Sequence, residues 1–405
     1  MKKTLLIASA LIGATVAMVA CQKYENTDVK AQKLVLPAQL ANYKTEYPAH
    51  FLQEITQITA VTDASGNMKI DTVQGNAQNP KITNAGATLG RVLFYDRALS
   101  INNSVACASC HLQANAFSDN VAHSKGFAGS ITPRNSMAIV NVGINNNLFW
   151  DSRAQSVPEL VSQPILNHIE MGMENTEDLI NKLKKIAYYA PLFEAAFGTG
   201  PITSEKIADG MSQFLTSIKS TNSKFDQGVA SNFANFSNLE LTGKNIFMSD
   251  RAQCVQCHAG VNFSAPDNNP MIFNGGSGPI IDPGFPGGGG GYGSPEVRGT
   301  ANIGLDLIYA DQGKDNGKFK IPSLRNIALT APYMHDGRFT TLAQVINHYS
   351  QDIKPHTSLD DKFVGKNGLN FTDAEKKALV AFLNTLTDHS MVGDAKFSNP
   401  FVVQN

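Results

Sequence analysis

The sequence predicts a mainly α fold built from two similar units with long irregular loops, on three observations. First, "TEDLINKLKKI", "SEKIADGMSQFLTSIKS", "TLAQVINHYS" and "TDAEKKALVAFLNTL" each place apolar residues at i, i+3 and i+4, the spacing of one helix face. Second, strand-like alternation is scarce. Third, "LGRVLFYDRALSINNSVACASCH" and "LTGKNIFMSDRAQCVQCH" share one pattern: glycine, a base, any residue, an aliphatic residue and phenylalanine (Gly90 to Phe94, Gly243 to Phe247), then a short loop and a Cys pair. That repeat predicts one N-terminal helix per unit, ending near the Cys pair.

Taken in order, the chain opens with a basic Met1-Lys2-Lys3 and the apolar "TLLIASALIGATVAMVA", the pattern of an export signal over residues 1–20. Met18-Val19-Ala20-Cys21 leads small residues into a cysteine, as a bacterial lipobox does. Cys21 is therefore expected to be lipidated, anchoring an exported protein on the periplasmic side of a membrane; an ordinary cleaved signal with an incidental cysteine is the alternative. No later segment is apolar enough to span a bilayer. A lipidated tether and N-terminal extension fill 21–78, the first unit 79–235, the second 236–392 and a tail 393–405. Thr372 through Glu375 supplies a capping box to the last long helix. "GGSGPIIDPGFPGGGGGYG" (275–293) has the composition of a mobile loop. A net charge of −1, with 17% charged residues and no basic stripe, argues against nucleic acid as a partner.

Five cysteines in an exported chain would ordinarily suggest two disulfides and an odd thiol. Here, apart from Cys21, they fall into "CASCH" (Cys107, Cys110, His111) and "CVQCH" (Cys254, Cys257, His258). C-x-x-C-H is the attachment signature of c-type haem. Two thiols three residues apart reach both vinyl groups, and the adjacent imidazole is held under the iron. Composition alone gives one such motif about once in a thousand chains like this, and two far more rarely. Zinc sites also use C-x-x-C, but zinc does not require a histidine after each pair. Two covalent c-type haems, one in each cytochrome c-like unit, are the expectation.

In their order, "LGRVLFYDRALS", "CASCH", "PRNSMAIVN", "LFWDSRA", "PILNHIEMG", "CVQCH" and "GKFKIPSLRNIALTAPYMHDGRF" resemble the bacterial di-haem cytochrome c peroxidases and their MauG-type relatives, over residues 80 to 390. The resemblance implies roles residue by residue. Trp150, the only tryptophan, matches the indole between the two haems that relays electrons or holes. Glu170 matches the distal carboxylate of the peroxide-reactive haem, where a base must take a proton from peroxide and return it to the leaving oxygen. Pro164 matches a proline of the same pocket. Asn135, Thr330 and Pro332 match positions that bind calcium between the units, an oxygen donor set that suits this hard cation. His335 belongs to the "YMHDG" signature and reads as a hydrogen-bonded structural histidine.

Three positions depart from the commonest family pattern. Leu160 stands where many members have glutamine, ten residues before the distal carboxylate. His123, twelve residues after His111, is a candidate for the distal ligand of the first haem, in flanking sequence unlike the usual one; a surface histidine is the alternative. Tyr349 stands where many members place a methionine as sixth ligand of the second haem, which is the MauG-type arrangement. His348 is adjacent, but on a helix it points roughly 100° away.

The expected activity is reduction of hydrogen peroxide to water at the first haem, with electrons entering at the second from a small cytochrome c or cupredoxin. A MauG-like oxidase that modifies residues of a protein substrate is the second reading, raised by Tyr349. A non-catalytic di-haem electron-transfer protein is the third, and Glu170 counts against it. The resemblance also implies a homodimer, the usual state in the family.

Overall fold

The computed structural model describes residues 32–62, 68–74, 76, 78–264 and 299–403. Cys21, the export signal and the 275–293 loop lie outside these. In chain order come β1 (Gln32–Leu34), α1 (Ala49–Ile55), β2 (Thr56–Thr62), β3 (Met68–Gln74), α2 (Asn84–Tyr95), α3 (Val157–Leu166), α4 (Thr176–Leu183), α5 (Tyr189–Phe197), α6 (Ser204–Ser217), α7 (Lys224–Val229) and α8 (Asn238–Phe247). They are followed by β4 (Thr300–Ala301), β5 (Phe319–Lys320), α9 (Leu342–Gln351), α10 (Asp373–Asn384), α11 (His389–Val392) and β6 (Phe401–Val403). The described strands form three antiparallel two-stranded ribbons, β1–β6, β2–β3 and β4–β5. The mainly helical expectation holds.

The four periodic segments form α4, α6, α9 and α10. Their starts follow side-chain chemistry: Asn175 and Thr203 cap α4 and α6, while Thr341 with Gln344 and Thr372 with Glu375 close capping boxes on α9 and α10. The two repeated segments form α2 and α8, and their glycines have a common reason. A Cβ on Gly90 would lie 1.9 Å from the Gly210 carbonyl oxygen of α6, and one on Gly243 would lie 1.9 Å from the Ala378 carbonyl oxygen of α10. Each glycine lets its helix touch the backbone of its partner.

Two apolar cores result. The first gathers Leu89, Val92, Phe94, Phe117, Phe214 and Leu215; the second gathers Phe225, Phe247, Phe263, Leu379 and Phe382. Phe225 and Phe233 pack in the second core. Near the other end of the described chain, Phe397 and Phe401 are buried in the first core and β6 pairs with β1. Tyr43, of the N-terminal extension, joins the first core, and its hydroxyl donates to the Lys396 carbonyl at 2.8 Å.

A polar seam joins the units. Asn141 donates to the Ser220 carbonyl, Asn262 to Asn145 Oδ1 and Asn326 to Ser220 Oγ. Within the second half the fully buried Arg325 grips Asp226 with both terminal nitrogens, at 2.8 and 2.9 Å. His50 of α1 reaches the same carboxylate at 3.1 Å.

Candidate functional site

Each C-x-x-C-H motif folds as a 3-10 turn, Cys107–Ser109 and Cys254–Gln256. The backbone N–H of His111 donates to the Cys107 carbonyl, and that of His258 to the Cys254 carbonyl. Both imidazoles are then fixed alike. His111 Nδ1 lies 2.9 Å from the Phe117 carbonyl oxygen and His258 Nδ1 lies 3.0 Å from that of Phe263. An Nδ1–H donated to a carbonyl leaves Nε2 with the lone pair, the usual way a protein orients a metal-binding histidine. Burial lowers the pKa of both rings, His258 to about 4, so both are neutral.

The two acceptor residues sit at φ 60° (Phe117) and φ 48° (Phe263), a region costly for a side chain this large. Their rings hold them there. Phe117 packs 6.0 Å from Phe94, and Phe263 packs 6.2 Å from Phe247. These aromatic anchors were missed in the sequence, although "HLQANAF" and "HAGVNF" both run from the histidine to an Asn and then a Phe.

No disulfide joins the four cysteines of the motifs. Burial pushes Cys107 up to about 12, Cys110 to about 11 and Cys254 to about 12, and it also raises Cys257. Paired thiols on a rigid turn, followed by a neutral, oriented imidazole, are a donor set that fits a covalently attached haem.

Beside the second motif lies a large, mostly apolar cavity whose walls include Cys254, Cys257, His258, Tyr349, Trp150 and Met334. Tyr349 thus faces the cavity that His258 faces, and its ring packs 6.1 Å from that of Phe363. His348 is turned elsewhere: it is 3% exposed and its Nε2 lies 2.9 Å from the Ile303 carbonyl oxygen. Asn135, Thr330 and Pro332 each line the same cavity. Asn135 Nδ2 donates to the Val121 and Ala122 carbonyls, which leaves Oδ1 as its outward acceptor. His335 lines this cavity too, stacked 3.7 Å from Phe319, with its Nδ1 buried and without a hydrogen-bond partner. The hydrogen bond expected of its ring is therefore not made at Nδ1; stacking holds it instead.

Trp150 bridges this cavity and the first unit. Its Nε1–H donates to the Asn135 carbonyl at 2.9 Å, and its own carbonyl accepts from the Lys320 N–H. The turn that presents it is tight, with Phe149 and Ser152 at φ 65° and 55° and the Arg153 guanidinium 3.6 Å over the Phe149 ring.

Glu170 follows α3 in a loop whose backbone locks onto residues 126–127: the Phe127 N–H donates to the Glu170 carbonyl. Its carboxylate accepts from Asn167 Nδ2 at 3.0 Å. Burial raises its pKa, partly opposed by Arg153, and its charge is felt at Cys107 and Cys110. The hydrogen bonds of Glu170 run to Asn167 and Phe127. Asn167, which orients it, had no signal in the sequence. Pro164 and Leu160 lie on α3, with Leu160 against the first core. His123 keeps a buried Nδ1 without a hydrogen-bond partner. Its neighbour Ser124 bonds to Asp119 and Ser136 and borders Cys110.

The chain is similar to known proteins in sequence and fold. The family model for di-haem cytochrome c peroxidase matches residues 84–233. Cytochrome c551 peroxidase of Nitrosomonas europaea is 30% identical over 304 residues, 74% of this chain and 79% of that protein. The methylamine utilization protein MauG of Paracoccus denitrificans is 31% identical over 360 residues, 75% of this chain and 88% of its own. Among solved structures, a MauG-like protein associated with microbial copper homeostasis aligns with a TM-score of 0.66 at 32% identity, over 80% of this chain and 95% of that one. The diheme peroxidase BthA of Burkholderia thailandensis aligns with a TM-score of 0.62 at 20% identity, over 84% and 96%, a likeness of fold. With this fold, both C-x-x-C-H turns and relatives of these kinds, the chain belongs to the di-haem cytochrome c peroxidase family, which also holds the MauG proteins.

Proposed function

We propose that this protein reduces hydrogen peroxide to two waters at the Cys107–His111 site, consuming two protons and two electrons. The electrons enter at the Cys254–His258 site from a small cytochrome c or cupredoxin. Cys107 and Cys110, and Cys254 and Cys257, would hold two haems by thioether bonds, with His111 and His258 as proximal ligands. When bound, the haems supply the change of oxidation state.

The observation that carries this reading is the partly buried Glu170 carboxyl, held by Asn167 Nδ2 at 3.0 Å. Burial lets it hold a proton at a pH where an ordinary carboxyl has lost it. As the base it would take the proton from one peroxide oxygen, and as the acid it would return it to the departing one. Asn167 keeps one carboxylate oxygen aimed. Pro164, on α3, would wall the pocket, and His123 is the candidate for closing it. Trp150 would carry electrons between the sites. Asn135 Oδ1, with the carbonyls of Thr330 and Pro332, would take a calcium ion between the units. Export and lipidation at Cys21 complete the proposal.

Glu170→Gln should keep both haem spectra and lower peroxide turnover by about two to four orders of magnitude. The pH profile gives a second readout. Because the folded pKa is raised, the base form grows in as pH rises through that raised value, and turnover should climb with it. The stability contributed by the held proton is fully present below the ordinary value and is lost over the same window. Glu170→Gln should flatten this limb; unchanged turnover and an unchanged profile would remove Glu170 from the reaction.

Tyr349 favours a second reading, a MauG-like oxidase acting on a protein substrate. An anionic phenolate at an iron favours ferric and higher states, as sharing oxidising equivalents between two sites requires.

A further inference from the structure

The two thiol pairs differ in their charged neighbours. Acids, Asp119 and Glu170, act on Cys110, and Asp119 acts on His111. Lys362 and Asp360 act on Cys257, and Lys320 and Lys362 on His258. Lys362 is the closer of the two to the sulfur. Its Nζ lies 3.3 Å from Cys257 Sγ and 3.0 Å from Asp360 Oδ1, and its side chain is 12% exposed. The Sγ here is a thiol and stands for the thioether sulfur of the haem-loaded protein.

This placement is built. The Asp360 N–H donates to the Asn302 carbonyl and the Phe363 N–H to the Asp360 carbonyl, so Asp360, Lys362 and Phe363 belong to one anchored turn. Phe363 packs on Tyr349 while Lys362 touches Cys257, so a single turn borders both sides of the cavity. Taking an ammonium largely out of water is costly unless charge nearby compensates. Asp360 supplies one negative partner, and a phenolate at Tyr349 would supply a second.

We infer that Lys362 is a positioning residue for the second haem: its ammonium, held by Asp360 at the Cys257 sulfur, raises that site's reduction potential above what tyrosine ligation alone would give. A fixed positive charge favours the state with one more electron, so the lysine offsets the ferric preference imposed by a phenolate. The inference rests on the reading above, in which Cys254, Cys257 and His258 hold a haem faced by Tyr349.

The test is a spectroelectrochemical titration of the full-length, haem-loaded protein, with the first haem as internal reference. Lys362→Gln should make the second haem at least about tenfold harder to reduce, a fall of about 59 mV for one electron. Lys362→Arg, which keeps the charge, should stay within about threefold of the parent. Asp360→Asn removes the negative charge while its amide oxygen can still accept from the ammonium, and should raise the potential; it also serves if the Gln variant fails to load haem. Equal potentials in the parent, Gln and Asn proteins overturn the inference, as does an equal fall with Gln and Arg, which would mean packing rather than charge. The underlying reading fails separately. A protein matured with one haem removes the site and the inference together, and a Tyr349→Phe spectrum identical to the parent removes the phenolate while the Gln/Arg contrast still decides whether Lys362 tunes the haem.

Discussion

Phe94, Phe117 and Phe214 in the first half hold the places that Phe247, Phe263 and Phe382 hold in the second. The ring pairs nearly superimpose in spacing: Phe94–Phe214 at 5.4 Å against Phe247–Phe382 at 5.1 Å. In both halves the central phenylalanine offers its carbonyl to the motif histidine. The frames match and the surroundings do not. The first half has a partly buried acid, Glu170, and the second has a cavity-facing phenol, Tyr349, and a lysine largely out of water. The shared part orients an imidazole in either half. In the proposed reaction the divergent part separates a site that moves protons from one that moves only electrons.

The largest expected effect outside the reacting groups lies at the buried Arg325–Asp226 pair. Burial alone would raise the Asp226 carboxyl, but Arg325, with hydrogen bonds from His50 and Ser223, holds it well below the carboxylate range. Arg325→Met leaves that charge buried without its main partner and should cost about 3–5 kcal/mol, measured by denaturant unfolding. A depressed pKa means the pair stabilises above the unfolded-state value and loses that contribution as pH falls through the folded one. The gap between parent and variant should therefore narrow in acid, and a gap independent of pH would contradict the pairing.

Next come the matched glycines. Gly90→Ala and Gly243→Ala each drive a methyl into a facing carbonyl and should cost about 1–3 kcal/mol apiece. Hydrogen exchange should locate the loosening in the first core for one and in the second for the other. The same protection pattern in both variants would mean that the halves do not pack independently.

The smallest effect on stability, about 1 kcal/mol, is expected from Trp150→Phe, which loses the bond to the Asn135 carbonyl. Its kinetic effect should be larger: stopped-flow mixing should show a normal first reaction with peroxide and slow arrival of electrons from the second site. Equal transfer in both proteins would make Trp150 packing alone.

How much of this was readable in the chain follows from the range of each interaction. Helix α10 was legible because its period and its Thr372–Glu375 cap are local. Gly90 and Gly243 were legible as a pattern, but the reason, contact with another helix's backbone, lies more than a hundred residues away. Lys362 meets Cys257 across 105 positions, and no local rule pairs them. Phe397 and Phe401 carried no signal because two rings in a short segment have no period, and only the closed first core gives them a place. Of the candidate site, both motifs and Glu170 were recoverable from spacing and resemblance. Whether Tyr349 or its neighbour faces the second cavity needed the helix set against Ile303, whose carbonyl engages His348.

The most direct test of unlike chemistry on like frames is electron paramagnetic resonance of the ferric, haem-loaded protein beside its Tyr349→Phe variant. The expected spectrum has one high-spin signal from the first site, open to peroxide, and one low-spin signal from the second, and the substitution should alter only the low-spin one. Two low-spin signals with histidine–methionine character, untouched by the substitution, would contradict the account.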